Sequence, residues 1–151
     1  MQRKLKRFAK LSPCDWVILI QLVAVAAFLE IALRFVALSR LVHGLVWGAN
    51  TVVGVLFPLL QRKVERCQLF ECAFLAARIV RGPNSCLSRS LLLFWLLSVR
   101  HEPVALLIGV RKDTKRLYSH AWIETPSMAR DEIHVHDQTF LSILRFSNET
   151  G

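Results

Sequence analysis

Arg81-Gly82-Pro83-Asn84-Ser85-Cys86-Leu87-Ser88-Arg89-Ser90-Leu91 decides how the rest of the chain is read. Gly82 and Pro83 break whatever precedes them. Asn84 or Ser85 suits the N-cap of a new helix, and Cys86 then falls in its first turn. The helix continues to about Val99. Leu87, Leu91, Phe94, Trp95 and Leu97 make it apolar nearly all round, as a central buried helix is. A thiolate at such a helix start is stabilised by the positive end of the macrodipole and by free backbone N–H groups.

Downstream of this helix the periodicity changes. Val104–Val110 and Leu117–Glu124 read as strands joined by a polar turn, Arg111–Arg116. A loop over Thr125–Asp131 leads to a third strand at Ile133–His136. Phe140, Leu141, Ile143, Leu144 and Phe146 suggest a short closing helix. Upstream, Ser12-Pro13 with Asp15 starts a helix that runs to about Ser39, with Glu30 and Arg34 as an i,i+4 pair. Gly44, Gly48 and Gly54 weaken Leu41–Leu60, which is a helix or a helix and loop. Gln61–Val80 is helical again, with Val64, Cys67, Leu69, Cys72, Leu75, Ala76 and Ile79 at helical spacing. The fold class is therefore α+β. A helical N-terminal half (1–80) packs on a small antiparallel sheet within a core at 81–151, the whole forming one compact domain.

At 151 residues the chain can bury a real core, and 54% of it is hydrophobic. Net charge is +9, and Arg3, Lys4, Lys6, Arg7 and Lys10 form a basic start. Such a block meets an acidic peptide or a membrane surface, or is simply solvated. Without interleaved aromatics or a glycine-rich phosphate loop it does not point to nucleic acid. The four cysteines, Cys14, Cys67, Cys72 and Cys86, match no zinc pattern and demand no oxidising compartment. The basic start, the apolar run Trp16–Leu29 and the triplet Ala24-Val25-Ala26 imitate a signal segment, while the uninterrupted run Val17–Leu29 is shorter than the ~20 residues of a membrane span. The apolar N-terminal stretches therefore read as helices of a soluble or membrane-leaning layer, in a protein of the cytoplasm.

Chemistry concentrates on three residues. Cys86 is followed by His120 in Tyr118-Ser119-His120-Ala121-Trp122-Ile123-Glu124, and then by Asp137 in Val135-His136-Asp137. This order suits a thiol nucleophile, its base and the group that orients the base. Asp131 and Glu124 are fallback orienters. Each residue also has a plainer reading. Cys14, Cys67 and Cys72 are small core hydrophobes, as Cys86 also would be but for its cap-rich position. His120 alone would be structural. Trp122 walls a cleft or fills the core, and Arg89 touches substrate or covers surface. His134 and His136 with Asp137 make too few ligands for a metal site. A non-catalytic, membrane-associated scaffold that binds peptide is the alternative from another class.

The elements Cys86-Leu87-x-Arg89-Ser90-Leu91, Leu107-Ile108-Gly109-Val110-Arg111-Lys112-Asp113 and His120-Ala121-Trp122-Ile123-Glu124, taken in order, resemble the transglutaminase-like leader peptidases of lasso peptide biosynthesis. Ser90 stands where that family often has Ala, and His101-Glu102 where it often has Gly. The resemblance implies a transglutaminase- or papain-like catalytic core. It further implies a cysteine protease that removes the leader from a ribosomally made precursor, and a leader-binding protein, fused in some members and separate in others, that delivers it; at this length a separate partner is expected. An ATP-using cyclase then closes the macrolactam. Some members depend on ATP; no P-loop occurs here and no cofactor is assigned. The third catalytic position varies in that family. Acyl transfer to an amine by the same triad is the further alternative.

Overall fold

In the computed structural model the described residues are 13–51, 66–82, 85–113, 116–126 and 140–148. They form four helices, α1 (Pro13–Phe35), α2 (Leu38–Thr51), α3 (Arg66–Arg81) and α4 (Cys86–Val99). Three strands follow, β1 (Ala105–Lys112), β2 (Leu117–Glu124) and β3 (Leu141–Ser147). The architecture is α+β, as the change of periodicity after Val99 requires.

α4 is the centre. Ser88 and every residue from Ser90 to Val99 are buried. Each of its large apolar side chains contributes about 1.5–3 kcal/mol by leaving water. The buried hydroxyls of Ser88, Ser90 and Ser98 are satisfied by Glu30, the Ala121 carbonyl and the Phe94 carbonyl. The helix ends in a Schellman motif: Glu102 N–H donates to the Leu97 carbonyl and His101 N–H to that of Ser98. His101 holds the left-handed position of this motif with φ 55°. At the other helix break Gly82 has φ 81°, and its N–H closes α3 on the Arg78 carbonyl.

Around α4 pack α1, α2 and α3. Leu22 and Leu29 of α1, Val42 of α2 and Leu69 and Ala73 of α3 share one core with Leu91–Leu97. α1 stops at Phe35, short of the expected Ser39, and α2 begins at Leu38. No glycine or proline interrupts this stretch, and beyond the break α2 packs on α4. α2 runs through Gly44 and Gly48 without interruption to Thr51, in keeping with the reading of this stretch as a helix or a helix and loop. Glu30 is not paired with Arg34. Its carboxylate accepts from Arg81 at 2.7 Å and from Ser88, which links α1 to α3 and α4. The i,i+4 rule yields here to partners 51 and 58 residues away.

The sheet order is β2-β1-β3, antiparallel throughout. β1 extends through Arg111 and Lys112, which the sequence assigned to the turn, and pairs them with Tyr118 and Leu117. The closing segment is strand β3 and not a helix. Its apolar positions fit both periods, and pairing along the second side of β1 decides between them. Phe146 lies opposite Leu106 and packs on the core. Asn148 clips the start of β1, accepting from Val104 N–H at 2.9 Å and donating to the Glu102 carbonyl at 2.8 Å. The expected strand Ile133–His136 lies outside the described residues, as do Gly54 and the basic start.

Candidate active site

Cys86 is the first residue of α4 and is half-buried, as a free thiol. Ser85 occupies the N-cap, but its side chain makes no capping bond; its carbonyl accepts from Arg89 N–H at 2.9 Å. The hydroxyl therefore leaves the first-turn N–H groups beside the sulfur to other acceptors. Arg89, one turn on, lies over the Phe74 ring of α3 at 4.9 Å. Burial pushes its guanidinium below the ordinary value, and the charge at Cys86 pulls it back up. Arg89 is thus a half-buried cation in the field of the thiol. The other cysteine described with its side chain, Cys72, is buried in the core as expected.

His120 sits on β2 opposite Gly109 of β1. Residues alternate across a strand. Ala121 and Ile123 are buried, and Ile123 joins the core with Leu106 opposite it. His120 shares the other face with Tyr118, Trp122 and Glu124. The Trp122 ring stacks with His120 at 6.1 Å between centroids, 16° from parallel, and Phe140 meets the imidazole at 5.5 Å. Trp122 also crosses Gly109. A Cβ there would lie 2.8 Å from the indole and 2.9 Å from the Leu141 carbonyl, so only glycine fits. Arg111 extends this face, lying over Tyr118 at 5.5 Å and Phe140 at 5.1 Å.

Thiol helix and imidazole strand pack together and share a buried hydrogen bond. Ser90 Oγ donates to the Ala121 carbonyl at 2.9 Å, so α4 is fixed to β2 about one turn past Cys86 and one residue past His120. No hydrogen bond or ion pair between Cys86 and His120 is among those of the described residues. His120 meets the Trp122 and Phe140 rings. Of the other candidates, Glu124 is committed to Arg145 of β3 at 3.2 Å. Asp137, Asp131, His134 and His136 lie outside the described residues. No cluster of metal ligands occurs among the described residues.

The layout just described is a cysteine at the head of a buried helix, followed by a histidine on an antiparallel strand. Comparison with protein families matches residues 61–144, 84 of the 151 positions, to the transglutaminase-like superfamily. The chain belongs to the transglutaminase-like superfamily. The matched stretch of this transglutaminase-like chain takes in α3, α4, β1, β2 and the start of β3, and so both Cys86 and His120. Its domain type points to thiol chemistry of the cysteine-protease or acyltransferase kind. Comparisons with curated proteins and with solved structures gave no match. Phe140 and Arg111 were not singled out from the sequence as neighbours of the histidine. Their one signal was Arg111 standing two residues after Gly109, on the face that His120 shares.

Proposed function

We propose that this transglutaminase-like protein is a cysteine peptidase that removes the leader from a ribosomally made lasso precursor peptide. The observation that carries the reading is the half-buried thiol at the head of α4, on a helix bonded through Ser90 to the strand of His120. His120 takes the Cys86 proton, and the thiolate attacks the carbonyl carbon at the leader–core junction. First-turn N–H groups of α4 receive the negative oxygen. The carbon–nitrogen bond breaks, the imidazolium gives its proton to the leaving amine, and a thioester to the leader remains. Water, deprotonated by His120, hydrolyses the thioester and restores the thiol. Asp137 orients the imidazole. The sulfur and the ring close to bonding distance in the substrate complex, since catalytic hydrogen bonds tighten on substrate binding. Trp122 and Arg89 contact the peptide.

The reaction takes place in the cytoplasm. A separate recognition protein delivers the leader, and a separate ATP-dependent cyclase joins the freed amine to an acidic side chain. Support for this finer reading is the Cys86-Leu87-x-Arg89, Ile108-Gly109-Val110-Arg111 and His120-Ala121-Trp122-x-Glu124 sequence elements. Cleavage of precursor with the recognition protein supplied tests it: Cys86→Ala and His120→Ala abolish cleavage while circular dichroism stays native. Full cleavage by a folded Cys86→Ala protein refutes the reading, and a scaffold role then takes its place. The superfamily match also favours acyl transfer, in which an amine replaces water at the thioester. Product mass separates the two, because amine capture adds the amine in place of water.

A further inference from the structure

Helix α1 is apolar on all sides, but the protein covers only one of them. Ile18, Leu19, Leu22, Ala26 and Leu29 enter the core against α3 and α4. Opposite them Trp16, Ile20, Ala24, Phe28, Ile31 and Phe35 stand in solvent, with Ile20 65%, Phe28 62% and Phe35 83% exposed. Steps of three and four residues keep these side chains on one stripe, about 28 Å long at the helical rise. A helix apolar all round belongs between two apolar environments, and here one of the two is missing. The charged residues of Trp16–Phe35 are Glu30, turned inward to Arg81 and Ser88, and Arg34 near the far end.

Charge says what the second environment is. The first 40 residues hold seven basic side chains (Arg3, Lys4, Lys6, Arg7, Lys10, Arg34, Arg40) and two acidic ones (Asp15, Glu30), so five of the nine net positive charges fall there. In the sequence the block from Arg3 to Lys10 precedes the Trp16 end of the stripe. We propose that this stripe seats α1 lengthwise on the surface of an anionic lipid bilayer, with the basic block on the headgroups. The tryptophan at the wet end suits such an interface. By length and composition α1 is also sufficient to cross a membrane. Leu22 and Leu29 are fully buried in the core, however, and α1 cannot enter a bilayer end-on without leaving it. A second copy fits less well, because it would bring two strongly basic halves together. Basic segments next to an apolar helix face are the usual means by which a protein lies on an anionic membrane. The proposal is independent of the catalytic reading.

Vesicle co-sedimentation of the purified full-length protein tests it, with phosphatidylcholine vesicles against vesicles containing phosphatidylglycerol. The wild type is expected to bind the anionic vesicles at least about tenfold more tightly than the neutral ones. It is expected to release at about 1 M salt, where the Debye length falls to about 3 Å. An Ile20→Gln, Phe28→Gln, Ile31→Gln variant should keep the wild-type melting curve and lose binding. Replacing Arg3, Lys4, Lys6 and Arg7 by Gln should remove the preference for anionic lipid. Wild-type protein that stays in the supernatant with both vesicle types overturns the proposal. So does a triple Gln variant that binds as well as the wild type. Retention of wild type on membranes through alkaline carbonate extraction means a spanning helix and overturns it. A lipid-free dimer that the triple variant abolishes assigns the stripe to a second copy and likewise overturns it.

Discussion

Ser90 and Ala121 hold the thiol-bearing helix to the imidazole-bearing strand: Ser90 Oγ donates to the Ala121 carbonyl at 2.9 Å, and both residues are buried. A buried hydroxyl bond of this kind is worth about 1 kcal/mol net. Ser90→Ala should therefore lower the unfolding free energy by about that amount, read as a lower urea midpoint at unchanged m-value. The effect on turnover should be larger than the effect on stability. A shift of about 1 Å between reacting groups costs up to about 100-fold in rate. Ser90→Thr keeps the hydroxyl and should restore most of the activity.

Cys86 is half-buried at the head of α4, whereas Cys72 is sealed in the core. Under limiting iodoacetamide near neutral pH one thiol should react first, and peptide mapping should find it at Cys86. Cys86→Ser should remove the fast phase. Even labelling of all four cysteines would argue against a nucleophilic role.

Glu30 bridges Arg81 and Ser88, but the two partners are not equal. The Arg81 side chain is 51% exposed, so its ion pair with Glu30 contributes about 0–1 kcal/mol. Ser88 is buried, and a buried hydroxyl without an acceptor costs about 1–3 kcal/mol. In chemical denaturation Glu30→Ala should thus be clearly more damaging than Arg81→Ala. Adding Ser88→Ala to Glu30→Ala should recover part of the loss, since it removes the stranded donor.

Two kinds of glycine are present. Gly109 is pressed by the Trp122 ring and by the Leu141 carbonyl, and backbone cannot swing aside as a flexible side chain can. Gly109→Ala should cost about 1–3 kcal/mol and perturb tryptophan fluorescence. Gly44 and Gly48 lie inside α2, where an added Cβ meets nothing within 4 Å. Alanine at either should raise stability by about 0.5–1 kcal/mol, measured as a higher Tm.

His101 sits at φ 55° at the end of α4, a conformation that costs an L residue about 1 kcal/mol. His101→Gly removes that strain while loosening the unfolded chain. The net should be a gain below about 1 kcal/mol, seen as a Tm rise of a few degrees. An unchanged or lower Tm would mean that the imidazole itself makes a favourable contact there.

The sequence made some of this legible because the deciding forces are local. Gly82-Pro83 and the unbroken apolar run Leu91–Leu97 announce a central helix, and the change to alternation after Val99 announces the sheet. Where the deciding partner is remote, local pattern failed. Leu141–Ser147 fits either period, and β1 chose the strand. Glu30 had a suitable partner at Arg34, but the buried hydroxyl of Ser88 and the guanidinium of Arg81 offered better ones. The aromatic surround of His120 needs Phe140, 20 positions away, and Trp122 leaning over a neighbouring strand; neither follows from spacing along the chain.

The segment matched to the superfamily begins at residue 61, yet Leu22, Leu29 and Val42 interlock with Leu91–Leu97 in a single core. An excised 61–144 fragment would present the flank of α4 to water and leave the Ser88 hydroxyl without Glu30. It should aggregate or remain molten, and supplying residues 1–60 as a separate polypeptide should rescue it by complementation.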